Sequence, residues 1–131
     1  MKLLDLKLRI MVLWIWIPIA AIASFLFSIC EPDGLEEIIS QMQKMGALIA
    51  IMGPIFWLGP PIMAFLSVTL KDRANRITNR VLSIIFTGLI LIEFYEIFPA
   101  PSVHQIIIKG STIVAVVYII FYSWKWPVKE A

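Results

Sequence analysis

The most regular feature of the chain is a series of four long apolar blocks, separated by short stretches that hold most of the charged residues. The blocks cover about residues 8–30, 46–70, 78–98 and 105–126. Each is long enough to cross the roughly 30 Å hydrocarbon layer of a bilayer as an α-helix. The pattern therefore predicts an all-α integral membrane protein, a four-transmembrane-helix bundle that forms one domain over residues 1–131.

The composition indicates the same class of protein. Of the 131 residues, 60% are hydrophobic and only 15% are charged, whereas a soluble domain is typically about 45–50% apolar. A water-soluble core of this size cannot enclose so much apolar surface, so a soluble globular domain is excluded. The single cysteine, Cys30, cannot form an intramolecular disulfide and is interpreted as a small packing residue near the outer membrane boundary.

The segment between the first two spans, residues 31–45, is too polar to cross a membrane. Asp33 is a suitable N-cap and Glu36, three residues later, can complete a capping box, so a short amphipathic helix is predicted. This helix either lies on the outer membrane surface or serves only as a tight connection between the spans, and both interpretations stay open. Its apolar residues recur at steps of three and four: Leu35, Ile38, Ile39, Met42 and Met45.

The distribution of charge sets the predicted topology. Nine of the eleven basic residues lie near the N-terminus, in the loop between spans two and three, or near the C-terminus. The positive-inside rule makes these three segments cytoplasmic, with both termini inside, as in a multi-pass protein of a prokaryotic plasma membrane. The basic residues on this side are Lys2, Lys7, Arg9, Lys71, Arg73, Arg76, Arg80, Lys125 and Lys129, and the acids on or near the outer side are Glu31, Asp33, Glu36, Glu37, Glu93 and Glu96.

The second span contains three prolines, Pro54, Pro60 and Pro61. Each proline removes a backbone donor and crowds the preceding turn, so a straight helix is not expected here. One outcome is a kink that a neighbouring helix fills. The other is a broken helix, of the kind that binds substrates or ions in transporters.

The loop after this span is the most basic stretch of the chain. Arg73, Arg76 and Arg80 are predicted to contact anionic lipid headgroups, with a specific phosphate ligand as the alternative. Arg76 and Arg80 stand four residues apart, as do Asn75 and Asn79, so a helix would place each pair on one face. No aromatic residues interleave with these charges, so membrane lipids are expected partners and nucleic acid is not.

Three stretches carry a resemblance to a known family: Leu13–Trp16, residues 55–79 with the sequence IFWLGPPIMAFLSVTLKDRANRITN, and YSWKW at residues 122–126. The chain resembles an uncharacterised bacterial and archaeal family of small four-span membrane proteins of unknown function, loosely similar to DoxX-like bundles. The resemblance covers most of the chain and implies the four-span fold, but it implies no function. Family members have an aspartate late in the first span, before an acidic-proline turn; residues 31–32 match that turn, but Phe25 occupies the aspartate position.

Glu93 and Glu96 are the first candidates for chemistry, because an ionisable residue inside a span is costly and suggests a function. They stand three residues apart and share a helix face near the outer end of the third span. A Glu93 side chain that faces the bundle interior could switch between protonated and ionised forms, as a proton-coupled site needs. Alternatively, Glu93 pairs with Lys109 while Glu96 lies among the lipid headgroups.

His104 lies in the outer loop, where it could join Glu93 and Glu96 as a metal ligand or as an acid and base. The spacing matches no metal or nucleophile motif, so no metal and no cofactor is predicted, and a solvated or capping histidine is the alternative. Tyr118 is a further ligand candidate if its hydroxyl points into a pocket; otherwise it anchors the helix at the membrane interface.

Together these residues favour a small-molecule or ion binding protein, or a transport-type bundle, with a carboxylate site in the outer half of the membrane. The ligand is unknown, and a chain with four spans is expected to form a homodimer if it is to enclose a pathway. Two alternatives stay open: a membrane enzyme that acts on a lipid-like substrate through Glu93, Glu96 and His104, and an accessory subunit of a membrane complex. Whether the protein is an enzyme is not decided by the sequence.

Overall fold

A computed structural model describes residues 2–97 and 102–127, apart from the side chains of Ile49, Glu96 and Ile97. The candidate Glu96 side chain and the basic residue Lys129 therefore lie outside the described part of the chain. Every element within the described ranges is a helix: α1 (Leu3–Cys30), α2 (Gly34–Met45), α3 (Ala47–Thr69), α4 (Asp72–Ile97) and α5 (Val103–Trp124).

The predicted membrane fold is confirmed, because α1, α3, α4 and α5 are each long and apolar enough to cross a bilayer. The largest differences from the expected bounds lie at the starts of α1 and α4, which begin at Leu3 and Asp72, five and six residues early. The basic stretch after the second span is therefore the first turns of α4 and is not a loop. Its helical conformation is stabilised by Asn75 and Asn79, which bury their amides against neighbouring helices.

The short helix α2 forms as predicted, but its predicted capping box does not. Asp33 occupies the N-cap position with a left-handed backbone (φ 60°) and makes no side-chain capping hydrogen bond. A capping side chain reaches the first turn from an extended backbone, and the left-handed conformation of Asp33 instead closes a turn in which Gly34 N–H donates to Glu31 C=O. Most of the apolar face of α2 stays exposed, which favours a helix on the membrane surface over a connection alone.

The four long helices pack in an order that differs from their order along the chain. α1 packs against both α3 and α5, and α4 packs against α5, whereas α3 and α4 touch only slightly although two residues join them. The first and last helices are thus neighbours, and α1 and α4 lie diagonally across the bundle. α4 and α5, which follow each other along the chain, pack closely against each other.

Helix α3 runs without interruption through Pro54, Pro60 and Pro61, so the broken helix considered from the sequence is not found. At Gly59 of α3, a Cβ atom would lie only 2.7 Å from the Phe86 ring, which reaches over from α4. Phe86 in turn packs edge-to-face against Trp14 from α1, with ring centroids 5.5 Å apart. A glycine in α3 therefore makes room for the aromatic contact at the bundle centre.

Candidate functional site

The two ends of the bundle carry opposite charge. We call the end at which α1 and α4 finish and α3 and α5 begin the acidic end, and the opposite end the basic end. The acidic end holds Glu31, Asp33, Glu36, Glu37 and Glu93 against Lys44 and Lys109 among the described side chains. The basic end holds Lys2, Lys7, Arg9, Lys71, Arg73, Arg76, Arg80 and Lys125, with Asp5 and Asp72.

Glu93 lies one turn before the end of α4, where its carboxylate forms an ion pair with the ammonium group of Lys109 on α5. The Glu93 side chain is 47% exposed, whereas that of Lys109 is only 16% exposed. The glutamate therefore points to the α4–α5 seam and compensates a largely buried lysine. This pairing is one of the two arrangements that the sequence left open for Glu93.

His104, in the first turn of α5, contacts a different carboxylate from those that the sequence suggested. Its Nε2 atom lies 2.5 Å from an oxygen of Glu31, the C-cap residue of α1, and the His104 side chain is 20% exposed. The Phe27 ring stacks on the imidazole with centroids 5.6 Å apart. In the sequence Glu31 stands out only by its charge and by its place in a turn, because nothing there indicates that α1 and α5 are neighbours.

The second ring nitrogen of His104, Nδ1, is the atom of this pair that is available for chemistry. Nδ1 is buried and has no hydrogen-bond partner among the residues that the structure describes. When Nε2–H donates to the Glu31 carboxylate, Nδ1 carries a lone pair that can accept a proton or a hydrogen bond, or bind a cation. Ser28 and Gln105 form a second polar bridge between α1 and α5, with Gln105 Nε2 donating to Ser28 Oγ at 3.4 Å.

The residues described at the acidic end do not form a metal cluster. Among the side chains that the structure describes, no three or more His, Cys, Asp or Glu residues come together in a way that could hold a metal ion. Glu93 and His104 have different partners, since Glu93 binds Lys109 and His104 binds Glu31, and the Glu96 side chain is outside the described part of the chain. The described side chains of the acidic end therefore form two separate charge pairs, one on each side of α5.

A polar network that the sequence analysis did not assign lies inside the other half of the bundle. Trp14 Nε1 donates to Asn79 Oδ1 at 2.8 Å, and Asn79 Nδ2 donates to Asn75 Oδ1 at 2.7 Å. Asn75 Nδ2 donates to the Ser67 carbonyl, near the end of α3, at 2.7 Å. All four residues are fully buried, so the network joins α1, α3 and α4 without leaving these amides unpaired. The four-residue spacing of the two asparagines was its only signal in the sequence.

Two of the three arginines proposed as lipid contacts are partly withdrawn into the protein. Arg80 Nε donates to the Ser123 carbonyl at 2.9 Å, and its guanidinium lies 4.4 Å from the Trp124 ring centroid. A cation at this position complements the C-terminal end of α5. Arg76 has a buried Nε atom without a hydrogen-bond partner in the described part of the chain, whereas Arg73 is exposed.

Tyr118 does not belong to the acidic end. It lies fourteen residues after His104 on the same helix, which corresponds to about 20 Å along the axis. Its ring stacks on Tyr122 with centroids 6.0 Å apart and borders an open groove between α1 and α5. The candidates taken from the sequence therefore fall into separate places in the bundle.

The fold and these sites define a small four-span α-helical membrane protein with an acidic and a basic end. No known protein-family model, curated protein or solved structure matches the chain.

Proposed function

We propose that the protein is a membrane-embedded binding or transport-type protein that takes up a small cation or a proton at its acidic end. The observation that supports this most directly is the contact between His104 Nε2 and Glu31, which leaves a buried Nδ1 atom without a partner among the described residues. A histidine held by a carboxylate is well suited to exchange a proton or to bind a cation.

The charge of the acidic end favours a cationic ligand. The described side chains there include five acids and two lysines, and one of those lysines is already paired with Glu93. The negative potential of such an end attracts cations and raises their local concentration. Charged groups this close to a hydrocarbon layer are costly, and this cost is a general reason to expect that they serve a function.

We further propose that the acidic end faces away from the cytoplasm of a prokaryotic cell, with both termini inside. The concentration of Lys and Arg at the other end supports this orientation. Four closely packed helices leave little room for a path across the bilayer, so transport would require a homodimer, whereas binding alone would not.

The test uses radiolabelled methylammonium, a small cation whose N–H groups can donate to the Nδ1 lone pair, as a probe of the protein in lipid nanodiscs. Binding is measured by equilibrium dialysis. We expect saturable binding, weakened about tenfold or more in Glu31→Gln and His104→Gln, since losing a hydrogen bond to a charged group costs about 1.5–3 kcal/mol.

The matched control is Glu36→Gln, which removes an exposed acid from α2 at the same end and should change binding less than about twofold. Absence of saturable binding to the wild-type protein would contradict the proposal. Equal weakening by all three substitutions would also contradict it, because a general loss of negative charge would then explain the result.

The same Glu31–His104 contact also supports a second candidate, an enzyme that uses the pair as acid and base on a lipid-like substrate. Incubation with a membrane lipid extract distinguishes the two functions. A product that forms with wild-type protein and is lost in His104→Gln favours the enzyme, and a product that persists in the double variant Glu31→Gln/His104→Gln rejects it. The accessory role predicts foreign subunits that remain bound in native mass spectrometry after mild extraction.

A further inference from the structure

A shallow groove of about 490 Å³ lies between α1 and α5 in the half of the bundle nearer the basic end. Its walls are mostly apolar, and Leu8, Val12 and Tyr118 are exposed along it, so in a bilayer it opens sideways to lipid. The residues that line the groove are Leu8, Arg9, Val12, Leu13, Tyr118 and Tyr122.

The groove has a polar end formed by Arg9 and Tyr122. The guanidinium of Arg9 donates from NH1 to the Tyr122 hydroxyl at 3.3 Å and lies 5.9 Å from the centroid of the same ring. Arg9 stands six residues after the start of α1, about 9 Å along the helix axis, which is the depth at which an arginine can still reach the headgroup layer.

The charge of Arg9 is not neutralised within the described part of the protein. Lys7, two residues earlier, pairs with Asp72 at 2.8 Å, and Lys109 pairs with Glu93. Among the described side chains, no carboxylate lies within ion-pairing distance of Arg9. Its contact with Tyr122 uses one of five N–H donors, so most of the guanidinium fork is available to an anion.

We propose that this groove is a specific binding site for one anionic phospholipid. The lipid phosphate would bind the Arg9 guanidinium, which matches phosphate geometry, and the Tyr122 hydroxyl would donate to a second oxygen. The part of one acyl chain nearest the headgroup would lie along the apolar walls beside Val12 and Tyr118. An anionic lipid can pair with the cationic end of the groove and also cover its apolar walls, whereas a free phosphate ion can only pair with the cationic end.

This site is separate from the acidic end and does not depend on the function proposed there. It also differs from general attraction of lipids to the basic surface. Arg80 already donates to the end of α5, and Arg73 is exposed away from the groove lining. Among the basic residues that the structure describes, only Arg9 lines this groove.

The test is native mass spectrometry of the protein incubated with phosphatidylglycerol or with phosphatidylcholine of identical acyl chains. We expect one retained phosphatidylglycerol and a preference of about tenfold over phosphatidylcholine, lost in Arg9→Gln and in Val12→Trp, which fills the groove but keeps the charge. Arg73→Gln is the matched control and should retain the lipid. Gel filtration checks that each variant remains folded. If Arg9→Gln is unstable, Arg9→Lys replaces it in the test. This variant keeps the positive charge but lacks the guanidinium fork, so it should bind phosphatidylglycerol with intermediate strength.

A further arm adds inorganic phosphate at millimolar concentration. The lipid should remain bound, and complete displacement by phosphate would overturn the lipid site in favour of a simple anion site. The proposal is also overturned if both lipids are retained equally, if Val12→Trp still holds phosphatidylglycerol, or if Arg73→Gln loses the lipid as readily as Arg9→Gln.

Discussion

We expect the buried hydrogen bond between Trp14 and Asn79 to contribute substantially to the free energy of unfolding of the bundle. Trp14→Phe removes the indole N–H, which donates to Asn79 Oδ1 at 2.8 Å, while it keeps an aromatic ring against Phe86. α1 and α4 lie diagonally across the bundle and share little backbone contact, so this side chain is one of the few direct links between them.

The expected cost has two parts. Hydrogen bonds between membrane helices contribute about 0.6 kcal/mol on average and at most about 1.7 kcal/mol, because the unfolded chain in the membrane also finds partners. The smaller ring leaves a cavity of roughly 40 Å³, which costs about 1 kcal/mol at about 24 cal/mol per Å³. Together they predict that Trp14→Phe lowers the free energy of unfolding by about 1.5–3 kcal/mol.

Unfolding in mixed micelles of dodecyl maltoside and sodium dodecyl sulfate, followed by tryptophan fluorescence, measures this change. The same helix provides a matched control, since Trp16→Phe removes an indole whose Nε1 donates to Ser111 Oγ at 3.1 Å on the exposed surface. Trp16 is exposed, so its substitution leaves no buried cavity and should cost no more than the average hydrogen bond between membrane helices, about 0.6 kcal/mol. A double-mutant cycle of Trp14→Phe with Asn79→Ala should show a coupling of about 0.6–1.7 kcal/mol.

Equal effects of the two tryptophan substitutions would refute this reasoning, because burial of the hydrogen bond would then be irrelevant. A coupling energy of zero between Trp14 and Asn79 would refute it as well. In that case the cost of Trp14→Phe would come from ring packing alone.

Two further pairs of substitutions test the packing of α4, the first against α3 and the second against α5. Gly59→Ala should be about 1–3 kcal/mol less stable than Gly53→Ala in the same unfolding assay, because its methyl group meets Phe86 whereas a Cβ at Gly53 meets nothing within 4 Å; equal stabilities would contradict the close approach. Glu93→Gln should cost about 1–3 kcal/mol by leaving the largely buried Lys109 unpaired, and Lys109→Met in the same chain should restore most of it. A neutral Glu93→Gln would show that the ion pair contributes nothing.

The fold could be predicted from the sequence because each membrane span has a local composition that identifies it. Each apolar block carries its own length signal, and the broad placement of α1, α3, α4 and α5 follows from it without knowledge of any partner. The start of α4 was missed because its first turns are polar and basic. Burial of Asn75 and Asn79 against other helices decides that region, and composition does not record it.

The Glu31–His104 site could not be predicted in the same way, because it depends on which helices are neighbours in the bundle. Glu31 and His104 are 73 residues apart and meet only because α1 packs against α5. The interpretation of Glu93 included Lys109 as a partner, since α4 and α5 are consecutive and a short connection makes them adjacent. The groove at Arg9 requires the same non-local contact between α1 and α5, and therefore had no signal in the sequence.

Both proposals depend on how the two ends of the bundle are oriented in the membrane, because the cation site is proposed on the outer side and the lipid groove in the cytoplasmic leaflet. The single cysteine makes a cysteine-free background available through Cys30→Ser alone. In that background Ser40→Cys lies on α2 at the acidic end and Ala74→Cys lies on α4 at the basic end, and both positions are exposed.

The measurement that tests this most directly is labelling of these two variants in intact bacterial cells with a membrane-impermeant maleimide. We expect Ser40→Cys to react in intact cells and Ala74→Cys to react only after permeabilisation. The opposite pattern, or equal labelling of both variants in intact cells, would contradict the proposed orientation and with it the outer position of the Glu31–His104 site.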